Sequence, residues 1–179
     1  MNLIWRFFWV ILFSRFSPAV NFLDNCSTSF RVLPTDCDVL LHMNNGRYFS
    51  FLDIARIDFM IRNNSFKLVR KEKMYGVVAS EIIRFKRSIN IFKRFEIVTR
   101  IVSWDANFFY IVHYFKTENE LCALAGVKIC FLHAKKGRIK TKEILDIIGI
   151  THTPNAMPEW LEMWQDTDQL LYREGRNSL

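Results

Sequence analysis

The chain has 179 residues, of which half are hydrophobic, 17 are Phe and 24% are charged; this suits one domain with a packed core and excludes general disorder and a two-domain architecture. The formal net charge of +7 gathers in residues 67–73 and 84–100 and points to an anionic partner, but with no helix-turn-helix, zinc-finger or RNP pattern it excludes nucleic acid. Cys26, Cys37, Cys122 and Cys130 show no CxxC pairing and no His at metal-ligand spacing, so they read as free thiols of a reducing, cytoplasmic compartment, with no metal, cofactor or disulfide framework implied.

Residues 1–23, MNLIWRFFWVILFSRFSPAVNFL, are apolar, with Arg6 and Arg15 the only basic residues among them. The unbroken apolar run 7–13 is far shorter than the roughly 20 residues a membrane span requires, and no small-x-small cleavage site follows it. An interfacial helix suits the composition, with Trp5 and Trp9 at the headgroup level of an anionic membrane and both arginines reaching lipid phosphates. Packing on its own domain or across a subunit interface is the alternative. Residues 1–28 are taken as this helix and its linker, and residues 29–179 as the folded domain with a C-terminal helical extension.

Residues 29–33 alternate as a short strand that stops at Pro34. After the polar stretch TDCDVLLHMNNGRY, residues 47–62 read as a helix whose apolar side chains wrap nearly all the way round, the pattern of a helix buried on most sides. Asn63-Asn64 ends it, and residues 67–73 read as a basic linker. Strands are predicted over 74–89, 94–104, 108–115 and 121–134, with Phe95, Ile97, Thr99 and Ile101 on one face of the second. Cys122 and Cys130, an even number apart, are expected on one face. Turns fall at 105–107 and 118–120, and Lys136-Gly137 closes the last strand. Helices follow over 142–148 and 159–172, the second introduced by Pro158. One apolar helix within a meander of long strands implies an α+β domain in which a curved antiparallel sheet wraps the helix. Its edge strand is best hidden by a second subunit, so a homodimer, or a dimer of dimers, is expected.

The chemistry concentrates in TDCDVLLHMNNGRY. Asn44 and Asn45 stand where an N-cap belongs, and the same helix start offers unpaired N–H groups and a positive dipole end to a developing oxyanion. Asp38 lies a few residues upstream and can fold back over that start, because VLLHM is long enough to turn. A carboxylate beside an oxyanion hole is a minimal arrangement for acyl transfer to water. His42 suits either of two roles, orienting the water or donating to the substrate carbonyl oxygen on one reading, and fixing the loop through Asp36 or backbone on the other. Asp36 is read as scaffold, since two ionised carboxylates so close would oppose one another.

The stretch RVLPTDCDVLLHMNNGRYFSFLDIAR resembles the signature of the hotdog-fold thioesterases, in the 4-hydroxybenzoyl-CoA thioesterase-like branch, and the strand pattern to residue 134 is similar to it as well. The resemblance implies a hydrolase of acyl thioesters, acyl-CoA or acyl-carrier protein, with Asp38 as nucleophile or as base on water. It implies that the backbone amide of Asn45 polarises the thioester, with Asn44 and Tyr48 beside the substrate. Leu41 replaces a glycine common at its position in that branch. Arg84, Lys86, Arg87, Lys93 and Arg94 are candidates to meet coenzyme A phosphates; a solvated basic edge that discourages strand pairing is the other reading. A non-catalytic, membrane-associated protein that holds an acyl chain is the rival from a different class, and a hotdog dehydratase lacks its expected motif.

Overall fold

A helix that the sequence makes apolar on nearly every side needs a wall on every side. The computed structural model, which describes residues 2–118 and 120–177, supplies it. That helix, α2 (Asn45–Arg62), buries Tyr48, Phe51, Leu52, Ile54, Ala55 and Phe59. Asn63 caps its C-terminus, and Asn64 follows in the left-handed region at φ 63°, where Asn is tolerated.

Around it curves an antiparallel sheet of β1 (Cys26–Arg31), β2 (Met74–Phe85), β3 (Arg94–Trp104), β4 (Phe109–Thr117), β5 (Glu120–His133) and β6 (Gly137–Ile139), in the order β1-β3-β4-β5-β2. β6 pairs with the end of β5, where Phe131 meets Ile139. On β3, Phe95, Ile97, Thr99 and Ile101 are all buried, as their alternation predicts. Ridges of Phe fill the space between helix and sheet: Phe51 lies edge-on to Phe30 and Phe95, and Phe95 stacks on Phe115.

The opposite face of the sheet holds a second, smaller core. Val102, Tyr110 and Val112 meet Leu161 of α5 (Glu159–Asn177), and Lys128 is paired with Asp168 at 2.9 Å. Gly126 permits this contact, because a Cβ there would stand 3.0 Å from the Trp160 ring and 3.1 Å from Leu161. α4 (Thr141–Ile148) ends at Gly149, in the left-handed region, as a helix C-terminus favours.

Several elements differ from the sequence reading. Residues 67–73 are not a linker: most of them belong to α3 (Ser65–Lys71), which buries Val69 beneath its basic surface. β1 begins at Cys26 and alternates buried and exposed side chains from there. β2 ends at Phe85, because the next two amides, of Lys86 and Arg87, both turn to the carbonyl of Cys122. Cys122 and Cys130 do not share a face. Phe115 pairs with Ala123 and Lys116 with Leu121, so Cys122 is the extra residue of a bulge, and alternation restarts beyond it.

The N-terminal helix, α1 (Asn2–Ser14), packs along α2. Arg6 turns inward, its guanidinium 4.8 Å from the Phe51 ring and bonded to Asp36. The expectation that both arginines reach outward to lipid phosphates is thus corrected for Arg6, whereas Arg15 is exposed. The other face presents Ile4, Trp5, Phe8, Trp9, Leu12 and Phe13 to solvent. Among the described residues, no helix is long and apolar enough to cross a membrane.

Candidate active site

Beyond β1 the chain makes a short 3-10 turn, Pro34–Asp36, that ends on a buried carboxylate. Asp36 is 1% exposed, accepts from Arg6 at 2.5 Å and from the Leu33 amide at 2.9 Å, and has Arg47 at 4.0 Å. Burial pushes the Arg6 pKa down against the pull of Asp36. A carboxylate this deep requires such a partner. Its carbonyl also accepts from the Asn44 amide at 2.8 Å, which ties the turn to the start of α2.

Asp38 then sits at the mouth of a tight loop. Its amide donates to the His42 carbonyl at 2.9 Å, and its Oδ1 accepts from the amides of Leu40 at 2.9 Å and His42 at 3.4 Å. Among the described residues its Oδ2 has no protein partner. Cys37 bridges to Met43 across the loop, so VLLHM does fold back, with Asp36 meeting Asn44 at the helix start and Asp38 meeting His42. Leu41 holds φ 58°, the left-handed conformation that favours glycine, which is the physical reason a glycine would suit this position.

The helix start divides its amides. Asn44 is the N-cap, its side chain accepting from Gly46 at 2.9 Å and its carbonyl accepting from Arg47 at 2.9 Å. The amide of Asn45, at the first helical position, is not used by this cap, and the first-turn N–H groups have no intrahelical acceptor. Of the two asparagines read at the cap position, Asn44 is the one that caps. His42 is half-buried, and its backbone is taken up by the loop and by a bridge to Asn90.

That bridge brings in the basic loop after β2. The Met43 amide donates to the Ile89 carbonyl at 2.9 Å, and the Ile91 amide to the Leu41 carbonyl at 3.0 Å. Lys86, Arg87, Asn90 and Lys93 line a shallow polar pocket of about 590 Å³ next to the motif, with Arg87 paired to Glu120 at 2.6 Å. Arg84 and Arg94 lie outside this pocket, exposed on β2 and β3, and Arg94 stands opposite Arg31 of β1. Tyr48 is 2% exposed and packs on Phe85 and Phe115. Burial raises its pKa to about 12. It forms part of the wall of the core.

Arg6 and Arg47 are the residues that sequence reasoning missed. Arg6 is separated from Asp36 by 30 positions, and no local pattern links an arginine of one helix to a turn so distant.

A second, more apolar cavity of about 470 Å³ lies further along α2, between its second half and the sheet. Its lining is apolar except for a few groups that include Asp53, Arg56, Ser65 and Arg70. Arg56 is 6% exposed and is paired with Asp53 and, at 3.2 Å, with Glu81. Burial raises the Glu81 pKa while Arg56 opposes that shift.

Residues 32–165 match the protein-family model described as the Thioesterase-like superfamily. Protein THEM6 of Danio rerio is 35% identical over 138 residues, covering 75% of this chain and 68% of that protein. Protein THEM6 of Xenopus laevis is 39% identical over 103 residues, 57% of this chain and 50% of that one, so the chain spans about half the length of this relative. Among solved structures, YbaW Probable Thioesterase from Escherichia coli superposes with a TM-score of 0.64 at 21% identity, covering 68% of this chain and 95% of that one. A 4-hydroxybenzoyl CoA thioesterase variant complexed with 4-hydroxybenzoyl CoA does so with 0.61 at 16% identity, covering 69% and 98%. The curved sheet around α2 is the hotdog fold.

Proposed function

The chain belongs to the thioesterase-like superfamily, and from that premise we propose that it hydrolyses acyl thioesters, acyl-CoA or an acyl-carrier-protein variant, to free acid and thiol. The single observation that carries this reading is the folded-back loop before α2: Asp38, which pairs with His42 across it, keeps one carboxylate oxygen without a protein partner among the described residues, and the Asn44 cap that follows leaves the Asn45 amide unused. The Asn45 amide and the helix dipole stabilise the oxyanion that forms as the thioester carbonyl is attacked. Asp38 either attacks the carbonyl or removes a proton from the attacking water. His42 is close enough in sequence and loop geometry to orient that water. The polar pocket at Lys86, Arg87 and Lys93 accommodates coenzyme A phosphates, with Arg84 and Arg94 peripheral to it.

The test is thiol release from acyl-CoAs by the purified chain. Hydrolysis is expected, and Asp38→Ala and Asp38→Asn are each expected to lower it by about a hundredfold or more. Unchanged turnover in Asp38→Ala would sink the site assignment. The cavity of about 470 Å³ also supports a second reading, a non-catalytic protein that holds an acyl chain, and that reading gains if no thioester is turned over while chains still bind.

A further inference from the structure

An arginine on the buried side of an apolar helix needs a reason. Arg6, Val10 and Ser14 follow one another at spacings of four, so they form the inner stripe of α1, and Arg6 is its charged member. Its side chain is 13% exposed, with the guanidinium against the Phe51 ring and bonded to Asp36. Burying such a pair contributes little net stability, because desolvation offsets the attraction, and apolar side chains of similar volume would hold the helix as firmly. What an ion pair adds over apolar contact is a fixed direction. Arg6 also lies outside residues 32–165, which match the family model, so this contact joins the matched region to a segment beyond it.

That direction is passed to the helix start through the bonds of Asp36. Arg6 Nη2 donates to Asp36 Oδ2 at 2.5 Å, and the same oxygen accepts from the Leu33 amide at 2.9 Å, closing the 3-10 turn. The Asp36 carbonyl accepts from the Asn44 amide at 2.8 Å, and the Asn44 side chain accepts from Gly46 at 2.9 Å. Asn45 lies between those two bonded residues, so the aim of its amide is set from both sides. On the other strand of the loop, Cys37 bridges to Met43, and the Asp38 amide donates to the His42 carbonyl at 2.9 Å. Arg47 pins the turn from α2 by donating to the Thr35 carbonyl at 2.9 Å. From α1 the strut is Arg6. The two groups read as reacting, the Asn45 amide and the Asp38 carboxylate, therefore each adjoin a residue bonded to or within this turn and its bridge.

We propose that Arg6 is a positioning residue for thioester hydrolysis: acting through Asp36, it holds the turn that sets the Asn45 amide and the Asp38 carboxylate in place. The proposal rests on the thioesterase reading for the identity of those two groups. A displacement of about 1 Å at a reacting group costs about a hundredfold in rate, so releasing the turn lowers turnover even in a chain that stays folded. The helix α1 is accordingly part of the site.

Removing Arg6 alone also strands a buried carboxylate, so the test separates position from stability with a paired change. Turnover of acetyl-, octanoyl-, palmitoyl- and benzoyl-CoA, thermal melting and amide hydrogen exchange by NMR are measured on the full chain. The variants are Arg6→Met, Arg6→Met combined with Asp36→Asn, and Val10→Ala, a control on the same stripe that packs against the core. Arg6→Met is expected to lower both Tm and kcat. The double variant strands no charge, so it should recover most of the lost Tm. Its kcat on the preferred substrate should nonetheless stay about tenfold or more below native, with KM within about threefold. In that variant the Asn44 amide should exchange about tenfold or more faster than in the native chain, with the amides of β4 and β5 unchanged. Val10→Ala, which loosens α1 without touching the turn, should keep kcat within about twofold of native. Recovery of kcat along with Tm in the double variant would overturn the proposal, as would an equal loss of kcat in Val10→Ala. If the native chain hydrolyses no thioester, the hydrolytic reading fails, and exchange at Asn44 decides the strut by itself. Faster exchange in the double variant sustains Arg6 as the residue that holds the helix start; unchanged exchange rejects it.

Discussion

Asp36 and Asp38 are two residues apart in sequence and opposite in environment. Asp36 is enclosed and spent on Arg6 and the Leu33 amide, while Asp38 keeps one carboxylate oxygen open at the loop mouth. The sequence reading ranks Asp38 first for chemistry and Asp36 as scaffold, and the burial of Asp36 supplies a reason for that order. What the sequence hid was the counter-charge, because Arg6 lies 30 positions from Asp36 in a segment with no local pattern that ties it to the turn. Another residue-scale feature escaped notice as scattered: His113 is fully buried on β4, its Nδ1 3.0 Å from Thr99 Oγ1. Burial, with a smaller contribution from Arg56, holds its pKa well below 6.5. The unfolded chain therefore takes up a proton near pH 6.5 that the folded chain refuses, and stability present above that pH is lost as pH falls through it. Thermal melting at pH 7.5 and 5.5 should show a lower Tm at 5.5, and His113→Gln should flatten the difference; a native Tm that does not fall would contradict a buried neutral imidazole.

At the scale of elements, α1 is two-sided. Its inner face, Arg6, Val10 and Ser14, is joined to α2 and to the Asp36 turn, and its outer face carries large apolar side chains exposed by half or more, Trp5 by 69%. The membrane reading and the packing reading of this segment therefore concern different faces of one helix. Deleting the helix would uncover Asp36, so it cannot test lipid binding cleanly. The combined variant Trp5→Ser, Phe8→Ser, Trp9→Ser is expected to keep the native Tm and to reduce sedimentation with anionic vesicles, whereas Arg6→Ala is expected to cost about 3 kcal/mol in chemical denaturation by stranding a buried carboxylate. Equal sedimentation of the triple variant and the native chain would reject membrane contact. Most strands and both C-terminal helices were legible because alternation and turn residues mark them locally. α3 was not, because Lys67, Arg70 and Lys71 outweigh its few apolar residues, and its reason to be helical is that Val69 finds a pocket supplied by distant elements.

For the whole molecule, the outstanding surface is the free edge of β2. Among the described residues β2 pairs only with β5, and Tyr75, Val78, Ile82 and Phe85 along it are each exposed by more than a third. An apolar edge with unpaired backbone groups invites a second strand, and the antiparallel pairing of two β2 strands would generate a closed two-fold dimer. Analytical ultracentrifugation should find a dimer, and Ile82→Lys should shift it to monomer at the same concentration; a monomeric native chain would remove the expectation.

The sequence by itself determined that one apolar helix must be enclosed, that long alternating strands must do it, and that an asparagine caps the start of that helix. Each of these follows from periodicity or from neighbours in the chain, so local physics suffices. Only the tertiary structure decided which arginine neutralises Asp36, that Cys122 and Cys130 part company at a bulge, and that an apolar cavity lies against the second half of α2. Those depend on residues tens of positions apart, on register, and on the volume left between packed elements, none of which the linear pattern encodes.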